Sequence, residues 1–231
     1  MPPSTPLATV TTITALAALL AAPLAAAEPA PPRRLDPRAP SLAINAGLLQ
    51  PLALGGANVE ADLRLGRWIV SYSHGWSLDL AGATVVGDQR DQHVALHLPY
   101  STGFGVGVEH YLPALRSYVD LRLEGKAHRF EAAYASADGT QRTRIAAYTT
   151  FTLGAGAYWT ALPFAHRTDA LRGLDVSTSV RWWPRVADTL PGSQVTYANA
   201  TTGRMEIHRA SAIGIAGTPV IVNVSIGYLF Q

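Results

Sequence analysis

The sequence predicts an all-β fold in which eight antiparallel strands close into a transmembrane β-barrel. Three observations lead to this prediction. Apolar residues recur at every second position in eight segments after residue 40, which is the period of an extended strand. In the most regular segment, the positions between the apolar residues are ionisable. The chain also begins with an apolar stretch of the kind that directs export.

Composition and charge exclude several classes of protein. Of the 231 residues, 48% are hydrophobic and 15% are charged, whereas about a quarter are charged in a typical soluble domain. The formal net charge of +2 is small and the basic residues are dispersed, so no nucleic-acid partner is predicted. The chain contains no cysteine, which excludes disulfides and cysteine-ligated zinc.

The N-terminal stretch predicts export through a cleaved signal peptide. It is rich in Ala, Leu and Thr over residues 7–27, and Ala25–Ala27 form a small-residue cleavage site. Pro23 favours this interpretation over a retained helix, although 21 residues are enough to span a membrane. The lack of Lys or Arg before the stretch is atypical of a signal peptide. The predicted organisation is a signal peptide at 1–27, a solvated Pro-rich leader at 28–40 and a barrel at 41–231.

Eight segments with a period of two are predicted to pair as antiparallel hairpins. In chain order they are 41–49, 59–65, 67–80, 101–111, 117–130, 143–159, 173–183 and 219–230. The gaps between them partly alternate in length. Tight gaps are predicted at 66–67 and 112–116, and long ones at 50–57, 81–100, 131–142 and 184–217. The gap 160–172 breaks this alternation.

Alternation alone does not say which face is inside, since soluble barrels have an apolar lumen and membrane barrels have the reverse. Four features favour a membrane barrel: the export signal, short turns alternating with long loops, aromatic residues near the ends of the apolar rows, and a final strand whose apolar row ends in aromatics. The aromatic residues in question are Trp68, Trp159, Trp182, Tyr228 and Phe230.

The C-terminal segment VIVNVSIGYLF resembles the terminal strand of bacterial outer-membrane β-barrels. The resemblance implies that Tyr228 and Phe230 act as an assembly signal for the barrel-assembly machinery, although here Gln231 follows the phenylalanine. Residues 41–231 are also similar in size and layout to small eight-stranded barrels, the class of the OmpA transmembrane domain. The resemblance implies the bacterial outer membrane as location and outer-membrane lipid as partner, and it indicates no functional subfamily.

The segment VDLRLEGKAH (119–128) separates apolar and ionisable residues most cleanly. A membrane barrel places Val119, Leu121 and Leu123 against lipid; the reverse would bury five ionisable groups in hydrocarbon, at about 2–4 kcal/mol for each midplane base. The same parity predicts thirteen lumen residues: Glu60, Asp62, Arg64, Asp79, Glu109, Asp120, Arg122, Glu124, Lys126, His128, Arg144, Asp175 and Arg181. Seven acids against five bases predict a connected charge network that fills the narrow lumen. Small lumen residues on neighbouring strands are expected to make room for it, namely Gly103, Gly105, Gly107, Gly154 and Gly156.

Several motifs contain residues that are used in catalysis or metal binding, but each has a simpler structural explanation. YSHGWS (72–77) combines His74 with two serines, but parity assigns His74 to the lipid side and Ser73 and Ser77 to the lumen. His93 and His97 have the spacing of a helical metal pair, without an acidic partner at a known interval. The lumen carboxylates resemble catalytic acids, yet a charged plug needs the same residues. We therefore predict no catalytic, metal or cofactor-binding residues and no cofactor.

The segment 184–217 is the most distinctive loop. Within it, SQVTYANATTGRMEIHR alternates on both sides of a turn-rich centre and predicts a hairpin above the barrel. The hairpin either binds a surface ligand, which the sequence does not identify, or caps the lumen. The predicted function is a structural or surface-binding envelope protein without enzymatic activity. The alternatives are a small-solute channel and a lipid-modifying enzyme of the outer leaflet.

Overall fold

The computed structural model describes residues 35–231 except 37, 81–93, 136–141, 200–201, 212 and 216–217. The predicted signal peptide lies outside the described residues, as does most of the predicted leader. Among the residues described, no helix is long and apolar enough to span a membrane.

Each predicted strand has a counterpart in the structure, and three short strands lie within the predicted loop 184–217. The strands are β1 (Ser41–Gly47), β2 (Ala57–Leu65), β3 (Trp68–Asp79), β4 (Val94–Leu112), β5 (Ser117–Ala135), β6 (Arg142–Ala161), β7 (Leu174–Trp182), β8 (Arg185–Asp188), β9 (Gln194–Asn199), β10 (Arg204–Arg209) and β11 (Val220–Phe230). One short helix, α1 (Leu49–Ala53), follows β1. Single 3₁₀ turns occur at Pro113–Leu115, Ala170–Gly173 and Pro191–Ser193.

Eight of these strands close into a barrel. Strands β1 to β6 each pair with the next strand along the chain, and β11 pairs with β7 on one side and with β1 on the other. Every pairing is antiparallel. This arrangement confirms the predicted all-β, eight-stranded closed barrel. Closure gives each spanning strand a partner on both sides, which a membrane interior requires.

An apolar band covers the outside of the barrel. Outward-facing side chains on all eight barrel strands are large and exposed: Leu42, Leu63, Leu65, Trp68, Val70, Tyr72, Phe104, Val106, Val108, Leu121, Leu123, Phe151, Leu153, Trp159, Val180, Trp182, Val222, Ile226 and Phe230. In water such a surface would be unfavourable, whereas in a bilayer it is the expected exterior. The polar residues between them face inward, as the parity predicted for this part of the barrel.

The two rims of the barrel differ. At the short-turn rim, β2 and β3 are joined by only Gly66 and Arg67, and Gly66 takes a positive φ of 66° that suits glycine. The connections 113–116 and 162–173 and the start of β1 lie at the same rim. The irregular gap predicted at 160–172 is thus a longer turn of the short-turn rim. At the opposite, long-loop rim, β4 begins at Val94, so the loop predicted at 81–100 is shorter than expected.

Three strands extend beyond the membrane. Strands β4, β5 and β6 have 19, 19 and 20 residues, whereas about 9–11 residues suffice to cross a bilayer. The additional length projects from the long-loop rim as one continuous wall. Strand β8 pairs with β6 in this region, and the ring of Tyr197 on β9 lies 6.4 Å from that of Tyr134 on β5. The predicted hairpin is present as β9 paired with β10.

Apolar side chains form two buried clusters inside the barrel, one towards each end. The upper core, near the long-loop rim, consists of Leu78, Leu80, Leu96, Leu98, Phe130, Ala132, Tyr148, Ala210 and Ile213. The lower core, near the short-turn rim, consists of Ala43, Tyr118, Leu162 and Leu229. Leu35 packs against the lower core, and the Asp36 amide donates to Gln231 Oε1 at 2.9 Å. The sequence analysis assigns these two residues to the leader, and in the structure both contact the barrel.

Candidate functional site

Between the two cores, the inward faces of the strands bring ionisable side chains into one layer. Eleven of the thirteen predicted lumen residues are buried there: Glu60, Asp62, Arg64, Glu109, Asp120, Arg122, Glu124, Lys126, His128, Asp175 and Arg181. We call this set the charged layer. Strand β5 contributes five of its members at alternate positions, because a strand points every second side chain to the same face.

Arg122 is the centre of the charged layer. Its Nη1 donates to Glu60 Oε1 and to Asp62 Oδ1, both at 2.7 Å, and its Nε donates to Asp120 Oδ1 at 2.5 Å. The guanidinium carbon also lies 3.7 Å from the centre of the Tyr158 ring. A planar guanidinium with five donors is suited to hold several carboxylates at once. One side chain therefore joins β5 to β2 across the lumen.

Two further arginines extend the network. Arg64 Nη1 donates to Glu109 Oε2 at 2.6 Å, and Arg181 Nη2 donates to Glu60 Oε2 at 2.9 Å. Glu60 is thus shared by Arg122 and Arg181, which connects β2, β5 and β7. Each of these pairs is buried, so the desolvation of every charge has to be offset by such contacts.

Aromatic side chains line the same layer, and the sequence analysis did not single them out as lumen residues. The guanidinium of Arg64 lies 4.3 Å from the centre of the Tyr118 ring. Glu124 accepts hydrogen bonds from Trp183 Nε1, at 2.5 Å, and from the Tyr158 hydroxyl. Tyr158 could have been predicted as a lumen residue. It follows Gly154 and Gly156 at alternate positions of the same strand, and both glycines were predicted to face the lumen.

Glycines make room for the long side chains of the layer. A Cβ at Gly103 would lie 2.4 Å from Lys126 Cγ, and a Cβ at Gly107 would lie 2.9 Å from Arg122 Cγ. Both distances are shorter than van der Waals contact. A larger residue at either position would therefore displace a member of the charged layer.

Acids outnumber bases in the charged layer. Six carboxylates (Glu60, Asp62, Glu109, Asp120, Glu124 and Asp175) face four cationic side chains (Arg64, Arg122, Lys126 and Arg181), together with His128. Asp175 is completely buried, and neither of its carboxylate oxygens has a hydrogen-bond partner among the described residues. The network is thus centred on three arginines and does not pair every member.

The parity prediction is wrong for two residues, Asp79 and Arg144, which are exposed. Ser77 adopts a positive φ of 54°, and beyond it β3 turns Leu78 inward, so Asp79 faces out. In the pairing of β5 with β6, a register shift inserts Ile145 as an extra residue, and Arg144 changes face. Both errors have the same cause: a bulge or a left-handed residue shifts parity by one.

The remaining sequence motifs do not form a second site. His74 Nδ1 lies 3.3 Å from the Tyr72 hydroxyl on the outer face, whereas Ser73 faces the lumen and Ser77 is exposed, contrary to its predicted lumen position. His97 lies on β4 opposite Glu131, at 3.9 Å.

The predicted histidine pair is only partly covered by the structure, because His93 lies outside the described residues. In the part of the chain that the structure describes, no group of three His, Asp or Glu residues is arranged to hold a metal ion.

A closed barrel with an apolar band outside and a charged layer inside has the arrangement expected of a barrel that spans a membrane. The fold is a transmembrane β-barrel of the outer-membrane type. Barrels of this kind in the bacterial outer membrane direct short turns to the periplasm and long loops to the cell exterior. In that orientation, the long-loop rim and the wall formed by β4, β5 and β6 would face the outside of the cell.

Comparisons with known proteins find similar folds and no close relative. No family model and no curated protein matches the chain. Among solved structures, a major outer membrane protein from Thermus thermophilus matches with a TM-score of 0.44 and 10% identity, over 83% of this chain and 100% of that chain. Neisserial surface protein A (NspA) matches with a TM-score of 0.33 and 11% identity, over 82% of this chain and 92% of that chain.

Proposed function

We propose that the protein is a non-conducting envelope barrel that closes its lumen with side chains and presents the segment 184–217 outside the cell. The observation that carries this proposal is the order of the three layers along the lumen. The lower core, the charged layer and the upper core follow one another, and their side chains are buried. Eight strands leave an interior just wide enough for side chains to fill.

The segment 184–217 contributes to closure with one face. His208 on β10 and Asn199 on β9 are buried, and the Tyr148 hydroxyl lies 2.9 Å from His208 Nε2. Ala210 and Ile213, which follow the hairpin, belong to the upper core. The segment thus supports the cap that was one of the two predicted roles of this loop.

The opposite face of the same segment supports the other predicted role, binding at the surface. Val186, Met205 and Ile207 are exposed by 61%, 67% and 44%. Exposed apolar side chains on a framework held by a rigid barrel are typical of binding surfaces. The hairpin is therefore proposed to hold the lumen closed and to offer contacts to a surface ligand.

Conductance measured in planar bilayers tests whether side chains close the lumen. The wild-type protein is expected to produce no steady current, because side chains occupy the space that water would need. Arg122→Ala removes the side chain that holds three carboxylates and is expected to give brief openings that favour cations. Arg204→Ala, an exposed residue of the hairpin, provides the matched control. A large and steady conductance of the wild type would establish the channel alternative instead.

One observation favours the alternative of a lipid-modifying enzyme. Ser73 Oγ accepts a hydrogen bond from Lys126 Nζ at 2.5 Å, and serine paired with lysine is one of the arrangements used for nucleophilic catalysis. The mass of lipid A from cells expressing the wild type or Ser73→Ala tests this alternative. A mass change that requires Ser73 would show an enzyme, and identical masses would leave Ser73 as a partner of Lys126 in the plug.

A further inference from the structure

A cavity of about 310 Å³ lies in the upper half of the lumen, and its two ends differ chemically. Its floor is the upper surface of the charged layer, formed by Ser73, Ser101, Lys126, His128 and Arg181. Its walls are apolar and include Leu78, Leu98, Ile213 and Ile221. A concave apolar site with a few polar groups at one end is the usual form of a small-molecule site.

Lys126 is the cation of the floor that forms no close ion pair, and Glu124 and Glu60 act on it only from a longer distance. Its Nζ donates to Ser73 Oγ and lies 4.2 Å from the centre of the Trp183 ring. Among the described residues, no carboxylate oxygen lies within 4.0 Å of this ammonium group, whereas Arg64, Arg122 and Arg181 each have one. A buried charge is unfavourable without a counter-ion, so an anion entering the cavity would gain a strong partner.

Two further polar groups of the cavity lack partners. Gln50 Oε1 and Asn223 Oδ1 are buried, line the cavity, and have no hydrogen-bond partner among the described residues. A side-chain amide presents either its oxygen or its NH₂ group by turning over. For Gln50 this turn would bring an N–H donor towards a negatively charged group above Lys126, whereas Asn223 Nδ2 already donates to Ser225 Oγ at 2.9 Å.

The barrel wall beside this cavity is incomplete. Strand β11 pairs with β7 from Val220 to Tyr228, but with β1 only from Ser225 to Phe230. Beside Val220–Val224 the chain of β1 has turned into α1, so a helix takes the place of a paired strand. Residues from both sides of this seam line the cavity, namely Leu49 and Leu54 on one side and Ile221 and Val222 on the other. The exposed Leu49 and Val222 also reach the outer surface.

We propose that the cavity binds the carboxylate form of a free medium-chain fatty acid. The carboxylate meets Lys126, and the aliphatic chain lies along the apolar wall towards the seam between α1 and β11. The seam lies on the long-loop side, which gives the ligand a path from the outer leaflet. The volume of the cavity is at the lower end of the range for small-molecule sites. A medium-length aliphatic chain therefore fits better than a full-length membrane lipid. Both the acid and the apolar chain are required, because each end of the cavity recognises one of them.

Quenching of tryptophan fluorescence by 2-bromodecanoate tests the proposal on the full barrel in phosphatidylcholine vesicles. The bromine stands next to the carboxylate and is expected to quench Trp183, which lies against Lys126. Quenching should saturate, and decanoate should reverse it, whereas decanol and decyltrimethylammonium should not. Quenching without saturation, or equal reversal by decanol, would mean that the additive enters only the bilayer and would overturn the proposal.

Variants assign the binding to the cavity. Lys126→Met is expected to weaken 2-bromodecanoate binding at least tenfold, while Arg204→Met, which removes an exposed cation elsewhere, leaves binding unchanged. Ile221→Phe, which narrows the cavity and keeps Lys126, is expected to weaken decanoate binding as well. A shift in gel mobility on heating establishes that each variant is folded. Wild-type affinity in folded Lys126→Met or in folded Ile221→Phe would contradict the proposed site.

Discussion

Arg122 shows how much of the lumen depends on a single side chain. Its guanidinium contacts carboxylates on two strands and lies over the ring of Tyr158. Removing it would leave three buried acids without their shared partner, whereas removing Lys126 would break one hydrogen bond to a serine and one contact with the Trp183 ring. The two basic residues of β5 therefore have unequal structural roles, although the sequence pattern treats them alike.

Arg122→Ala is expected to lower the free energy of unfolding by about 3–5 kcal/mol, the usual effect of removing one partner of a buried ion pair. Urea-induced unfolding of the barrel in lipid vesicles measures the change. Arg204→Ala, on the exposed hairpin, serves as the control and should change stability little. An unchanged midpoint for Arg122→Ala would mean that its three carboxylates are individually hydrated.

The two faces of β5 respond oppositely to charge. Leu121 is 64% exposed on the outer face, whereas Lys126 is buried inside. Leu121→Arg is expected to impair insertion, because it places a base in hydrocarbon at about 2–4 kcal/mol near the midplane. Lys126→Gln should still insert and fold. The amount of heat-modifiable barrel in the outer-membrane fraction measures both, and the reverse result would show that the faces are assigned wrongly.

Among the elements, the β9–β10 hairpin depends on a buried neutral histidine. Burial lowers the pKa of His208 from 6.5 to about 4, and its Nε2 lies 2.9 Å from the Tyr148 hydroxyl. In an opened hairpin the histidine regains its ordinary pKa. Between pH 6.5 and 4, the open form therefore takes up a proton that the packed form does not. The packed hairpin is fully stabilised above this window and loses stability as the pH falls through it.

Hydrogen exchange of residues 194–209 at pH 7 and pH 5, corrected for the intrinsic rate, measures this effect. Protection of the hairpin is expected to fall at pH 5, while β5 within the membrane remains protected. His208→Gln retains a hydrogen-bonding side chain and removes the titrating group, so its protection should not depend on pH. The same loss of protection in this variant would assign the effect to another group.

Alternation in the sequence predicted the strands and the direction of their side chains well where each strand crosses the membrane. There, one face of the strand contacts lipid and needs apolar residues, and the other contacts the lumen and carries polar ones. The alternation failed beyond that region for physical reasons. The left-handed Ser77 changes the direction of the side chains that follow it on β3, and the extra Ile145 changes the direction of those that precede it on β6. A period of two contains no information about such positions. The pairing of Arg122 with particular acids was also not predictable, since register across the lumen depends on closure.

At the scale of the whole molecule, β1 and β11 complete the barrel. Leu42 pairs with Phe230, and the rings of Tyr228 and Phe230 lie 4.7 Å apart on this last strand. The Gln231 side chain adds hydrogen bonds in both directions with Asp36. The end of the chain therefore joins the first strand and the residues before it.

Deleting Phe230 and Gln231 is expected to reduce the amount of closed barrel, because the final pair loses its last residues and the aromatic of the proposed assembly signal. Heat-modifiable protein in the outer-membrane fraction measures closure and assembly together. Gln231→Ala alone removes the contact with Asp36 and keeps the aromatic, which separates the two contributions. Wild-type amounts of barrel after the double deletion would contradict the assembly role of Phe230.

The change of faces along the wall has a consequence for how the barrel sits in its bilayer. Along the crossing segments, apolar side chains point outward and charges inward; near the long-loop rim Asp79, His97 and Arg144 are on the outside and Leu98 and Phe130 on the inside. The outer surface of the sheet thus changes from apolar to ionisable side chains towards that rim. A deeper position in the bilayer would bring ionisable groups into hydrocarbon, and a shallower one would expose the apolar band to water. The depth of the barrel is therefore set by the place where its outer surface changes from one chemistry to the other.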